Sequence, residues 1–126
     1  MKRDMELVRK VLLYIEEQYT DVVLYNIEIK GYDFKTIAYH CKICYEAGLI
    51  CDYDSSYGDD EIQDFGVGSL TWEGHEFIEK IKDDAIWNKT NKIIKEKGIK
   101  LTIKAIEQIA TKLIEIGIQS AIKSIT

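Results

Sequence analysis

The sequence contains no proline, and between Lys42 and Lys80 it contains no lysine or arginine. The first absence removes the strongest helix breaker, so long helices can run without kinks. The second is more selective, because the same stretch holds ten carboxylates, Glu46, Asp52, Asp54, Asp59, Asp60, Glu61, Asp64, Glu73, Glu76 and Glu79. A surface without cations cannot neutralise phosphates, the main source of affinity for duplex DNA. Three cysteines, Cys41, Cys44 and Cys51, are an odd number and too few for a disulfide framework, which fits a reducing compartment. No run of eighteen apolar residues is present. The opening Met1 to Glu6 also lacks a signal-peptide core, so a cytoplasmic location without a membrane span is expected.

What is present describes an ordinary folded chain, 46% hydrophobic and 31% charged. A chain of this length buries about 65% of its unfolded surface, enough for one compact domain with an appendage. Charge is divided unevenly. Residues 1–84 hold 9 Lys+Arg against 19 Asp+Glu, a balance of −10, while residues 85–126 hold 8 against 3, a balance of +5. An acidic head and basic tail can pair between molecules or stand as two solvated faces.

Apolar residues at three and four spacing predict a first helix after the capping residue Asp4, ending near Gln18 or Tyr19. The β-branched and aromatic run Val22 to Ile29 predicts a strand closed by Gly31. Asp33 caps a second helix from Phe34 to about Ala47, stopped by Gly48 in the left-handed conformation. Leu49 to Tyr53 reads as a short strand, Ser55 to Gly66 as a polar acidic loop, and Val67 to Leu70 as the returning strand. Thr71 caps a third helix that buries Phe77, Ile78 and Ile81 and continues through or restarts at Asp83 and Asp84, with Gly98 ending the segment. Leu101 to Ile125 is amphipathic and isoleucine-rich. Ile103, Ile106, Ile109, Ala110, Leu113, Ile114, Ile116, Ile118 and Ala121 fill an arc wider than one contact requires.

Helix, strand, helix, a two-stranded wing and helix is the order of an α+β winged helix. The expected division is residues 1–83 as the winged-helix domain and 84–126 as a C-terminal helical extension that docks or dimerises. Only Lys30 to Asp33 separates the first strand from the second helix, so the usual helix-turn-helix pair is shortened.

Several separated blocks then carry a resemblance: Met1-Lys2-Arg3-Asp4-Met5, Gly31-Tyr32, Tyr39-His40, Glu46-Ala47-Gly48-Leu49-Ile50 and Leu70-Thr71-Trp72-Glu73-Gly74-His75-Glu76-Phe77, with Trp87 after Asp83-Asp84. In this order they are similar to the bacterial and prophage family catalogued as domain of unknown function 2513, over roughly residues 1 to 100. The resemblance implies a winged-helix fold, frequent association with mobile elements and phages, and no catalytic residues. Cys41 and Cys44 depart from it, standing where such helices place large apolar residues.

The candidate chemistry is thin. Cys41, Cys44 and Cys51 with His40 and His75 are zinc-ligand types, but a cysteine pair at i and i+3 inside a regular helix, on its core face, makes a poor tetrahedral site. No cation or helix N-terminus is placed to activate these thiols. His40 and His75 lack a partner at a diagnostic nucleophile spacing, and no phosphate-binding glycine loop exists. The acidic loop does not reproduce a calcium-loop ligand set. No enzyme activity, cofactor or metal is therefore expected.

The expected function is a non-enzymatic interaction module acting through a protein partner or its own copy. Its partner-binding residues are Tyr39, Ile43, Tyr53, Tyr57, Asp59, Asp60 and Glu61, since exposed tyrosines beside carboxylates suit a basic protein surface. Ile109, Leu113 and Ile116 are the expected oligomerisation residues. The alternative is a sequence-specific DNA-binding regulator reading duplex DNA with Lys35, Tyr39 and Lys42, which the cation-free wing disfavours. A third reading is an acidic mimic of DNA.

Overall fold

A computed structural model describes residues 1–125. The fold is α+β: five helices and one three-stranded antiparallel sheet among the described residues, in a winged-helix-like arrangement. Contacts divide the chain into two compact units, Met1–Ile78 and the part from Glu79 onward. The division falls inside the third helix, a few residues ahead of the 83/84 boundary read from the sequence.

In the first unit, α1 (Met5–Gln18) begins where the Asp4 carboxylate accepts the backbone N–H groups of Glu6 and Leu7 at 2.9 and 3.2 Å. It buries Leu7, Val8, Val11, Leu12 and Ile15, the three-and-four stripe of the sequence. α2 (Phe34–Glu46) starts at Asp33, whose Oδ1 accepts the Thr36 N–H at 2.8 Å, and buries Ile37, Ala38, Cys41 and Cys44 against the same core. The Thr36 hydrogen bond, with Lys35 nearby, holds the Asp33 carboxyl below its ordinary range. Residues 26–33 form no helix; Gly31 turns the chain there at φ 93°.

The sheet corrects two expectations. Strand β1 is only Leu24–Tyr25, not the whole run Val22 to Ile29. Asn26 ends it by taking a left-handed conformation at φ 48°, which asparagine tolerates better than most residues. Its side chain then continues the pairing. Asn26 Oδ1 accepts the Phe65 N–H at 2.9 Å, its backbone N–H donates to the Phe65 carbonyl at 2.9 Å, and its Nδ2 donates to Asp64 at 3.0 Å.

The second correction is the wing. Ser55 to Gly66 is not a long acidic loop but most of a regular hairpin, β2 (Tyr53–Gly58) and β3 (Glu61–Val67), joined by the two-residue turn Asp59-Asp60. Both turn residues have positive φ, 53° and 63°, as the right-handed twist of a two-residue hairpin requires. The segments expected as strands, Leu49–Tyr53 and Val67–Leu70, form the base of the same hairpin: Tyr53 pairs with Val67, the Gly68 N–H donates to the Asp52 carbonyl at 3.0 Å, the Cys51 N–H to the Ser69 carbonyl at 2.8 Å, and Ile50 bridges Leu70. Strand order is β1-β3-β2, so the wing's inner strand carries the core residues Phe65 and Val67.

α3 (Trp72–Ile81) is capped by Thr71, whose Oγ1 accepts the Gly74 N–H at 2.9 Å and donates to the Gly48 carbonyl at 2.6 Å. One hydroxyl thus starts α3 and terminates α2, whose last turn ends at Gly48 with φ 75°. In the second unit, α4 (Asp84–Glu96) restarts after Asp83, which caps it through the Ile86 N–H at 3.0 Å, and stops at Gly98. α5 (Ile103–Ile125) packs against α4, with Trp87, Ile94, Ile106 and Ala110 buried. No described helix is long and apolar enough to cross a membrane.

Candidate functional site

The outer side of α2 and the inner side of the hairpin enclose an open groove of about 230 Å³. Tyr39, Tyr53, Tyr57, Asp60 and Glu61, expected from sequence to bind a partner, all line it, and so do Lys35 and Lys42, the cations of the DNA alternative. Ile43 and Asp59 lie outside the lining. Met1, Ala38 and Ile62 complete the walls and were missed by sequence reasoning.

A bulge explains Ile62. Ser56 pairs with Asp64 but Tyr57 pairs with Ile62, so Gln63 is an extra residue and the alternation of β3 slips there by one. Ile62 therefore faces the groove together with Tyr57, on the side of the sheet that carries Phe65. The signal was the adjacent pair of aspartates at the turn, which fixes the register once it is read as a two-residue hairpin.

Tyr53 is anchored beneath the groove by the core: its ring stacks on Phe65 with centroids 6.3 Å apart, and Phe34 packs on Phe65 at 5.2 Å. Burial, more than any other cause, raises the Tyr53 hydroxyl above its ordinary pKa, so it remains a donor at neutral pH. Tyr57 by contrast is 66% exposed. Across the groove, Lys35 Nζ meets Glu61 Oε1 at 3.1 Å. Both side chains are solvated, so the pair adds little stability, but it commits the first cation of α2 to a hairpin carboxylate. The turn beyond carries Asp59 and Asp60, both exposed. A winged helix gripping DNA would need positive charge at that tip.

The histidines and cysteines fall elsewhere. His40 is fully buried, accepting the Asp4 N–H at Nε2 and donating from Nδ1 to the Thr36 carbonyl, each at 2.8 Å, while His75 is exposed on α3. Cys41 and Cys44 lie in the core, and Cys51 is exposed with Sγ 3.2 Å from Ser69 Oγ. Among the described residues no three His, Cys, Asp or Glu side chains are grouped to hold a metal ion.

Burial pushes the Cys44 thiol up to about 12 and Cys41 higher still, with Cys44 as a second cause for the latter. Neither is a thiolate at neutral pH, so neither is a ready nucleophile. A thiol reagent such as dithionitrobenzoate is expected to label Cys51 alone in the native protein, and Cys41 and Cys44 only on unfolding. Prompt labelling of all three would contradict the buried placement. The sign of the linked pH effect follows: the unfolded thiols ionise first, so their contribution is full below about pH 8.5 and is lost as pH rises from there. Replacing Cys41 and Cys44 with alanine should flatten that alkaline decline.

Met1 apart, the residues that line the groove all fall within 2–100. The family model described as "Hypothetical protein (DUF2513)" matches residues 2–100. An "Uncharacterized protein" of Haemophilus influenzae (strain ATCC 51907 / DSM 11121 / KW20 / Rd) is 36% identical over 115 residues, covering 90% of this chain and 96% of that protein. No solved structure matches. By the extent of both matches, the chain belongs to the family described as "Hypothetical protein (DUF2513)".

Proposed function

We propose that this protein is a non-enzymatic interaction module whose groove between α2 and the hairpin receives a basic segment of a protein partner. The supporting observation is the composition of that face: Tyr39, Tyr53 and Tyr57 converge beside Asp60 and Glu61, Glu61 already holds the α2 cation Lys35, and Lys42 is the other cation of the lining. Tyrosines offer broad contact at low entropic cost, and solvated carboxylates steer a basic partner toward them. Nothing in this face requires catalysis. A lysine or arginine side chain entering beside Tyr57 would meet a ring face and a carboxylate together.

The test has two arms. Labelled duplex DNA titrated with the protein at low salt is expected to show no saturable anisotropy change. A photo-crosslinking residue at Tyr57 is expected to capture a protein from the native host, and capture should be lost when Tyr39 is changed to alanine and Asp60 to lysine. Tight, sequence-dependent duplex binding that is lost in Lys42→Ala would instead establish the regulator reading.

A further inference from the structure

The apolar stripe of α5 outruns its cover. In the first half of the helix Ile106 and Ala110 are buried and Ile109, Leu113 and Ile114 half-buried, whereas from Glu115 to Ile125 every residue is exposed. Ile118 is 53%, Ile122 55% and Ile125 83% exposed. The spacing does not stop where the cover stops. Ile114, Ile118, Ala121 and Ile125 recur at four, three and four, with Ile122 beside them, and so share one side of the helix. Lys112, Gln119 and Lys123 lie across the helix from it, and Glu115, seven residues before Ile122, borders one flank, so the row Ile114, Ile118, Ala121 and Ile125 itself holds no charge.

We infer that this stripe mates with the same stripe of a second copy of the chain. Alternation of four and three is the spacing at which paired helices interlock, and Ala121 lets two backbones approach between isoleucine layers. An uncharged stripe has no group with which to select a charged partner, and it presents no repulsion to its own copy. The polar side, with Gln119 between the two lysines and Glu115 at its border, lacks the cation-rich character that draws amphipathic helices to anionic lipid. Ile118, Ile122 and Ile125 are each more than half exposed, but one half-helix seam with its polar flanks reaches no further than the lower bound of about 1,000 Å² for a specific interface. Dimerisation is accordingly weak and concentration-dependent. The seam differs from the Ile109, Leu113 and Ile116 set expected from sequence: the first two are already partly covered, and Ile116 lies two residues from Ile118, off the stripe.

Sedimentation equilibrium of the full chain from about 10 µM to about 500 µM tests the proposal. The average mass is expected to climb from 14.6 kDa toward twice that value. Ile118→Lys, at an exposed position that the fold does not need, is expected to hold the mass at 14.6 kDa, and Ile116→Lys is expected to dimerise like the parent. A monomeric parent across the range, or equal loss of dimer in both variants, overturns the seam. So does flotation of the monomeric parent with phosphatidylserine vesicles that Ile118→Lys abolishes, which would give the stripe to a lipid surface.

Discussion

Gly74→Ala is expected to destabilise the protein by about 3 kcal/mol or more, reversing the usual benefit of about 1 kcal/mol for that change inside a helix. Gly74 sits in the first turn of α3, directly against the loop that ends α2. A β-carbon there would overlap the Leu49 carbonyl oxygen and lie 3.0 Å from its carbon. Both neighbours are backbone, and neither can swing away. Thr71 N–H donates to that same carbonyl at 3.0 Å, and Thr71 Oγ1 bonds to both Gly48 and Gly74, so any retreat of α3 strains three hydrogen bonds. Gly48→Ala makes the control. Its site has open space but a φ of 75°, so only the left-handed cost of about 1–2 kcal/mol applies. Urea unfolding followed by circular dichroism should rank Gly74→Ala well below Gly48→Ala. A neutral or stabilised Gly74→Ala would show that α3 does not approach Leu49 this closely.

That contact also shows why part of the fold was legible in the residues. Asp4, Asp33, Thr71 and Asp83 each mark a helix start through a short-range bond from side chain to backbone, and Gly48 and Gly98 mark stops through a backbone angle. Such signals are local and survive any tertiary context. The hairpin itself was expected, but the reach of its strands was illegible for the opposite reason. Tyr53 to Gly58 has serines, aspartate and glycine where strand propensity asks for branched residues, and its pairing is set by Phe65 and Val67 across the sheet. The run Val22 to Ile29 misled in turn, because its composition favours a strand but the left-handed backbone of Asn26 ends the extended ladder after two residues.

The same division governs the groove. The tyrosines and carboxylates were visible as residue types, but their convergence depends on a turn of two residues and a bulge at Gln63, which aim Tyr57 and Ile62 at α2. The Lys35 to Glu61 pair spans helix and hairpin and has no signature in sequence spacing at all. Once the hairpin is regular, the charge pattern acquires a direction. The acidic turn stands at the end of a paired ribbon, and Asp60 and Glu61 present its field at one edge of the groove.

Removing the His40 side chain is expected to cost about 3 kcal/mol, because the fully buried ring joins the starts of two helices and its loss leaves both a cavity and two broken hydrogen bonds. Its Nε2 accepts the Asp4 N–H while Nδ1 donates to the Thr36 carbonyl, an arrangement that only the neutral ring protonated at Nδ1 satisfies. Asp4 is at the same time the cap of α1, and Tyr39 packs edge-on to the ring at 5.7 Å. His40 therefore fixes the entry of α1 against the helix that walls the groove. Two variants separate its parts. His40→Phe fills the volume but leaves the Asp4 N–H without its acceptor, and should lose about 1–3 kcal/mol. His40→Gln can return an acceptor near the Nε2 position, and should recover part of the loss seen in His40→Ala. Equal destabilisation by Gln and Ala would remove the hydrogen bond to Asp4 from the account. If folded His40→Ala kept its stability while losing partner capture, the residue would belong to the groove's recognition rather than to the joint between α1 and α2.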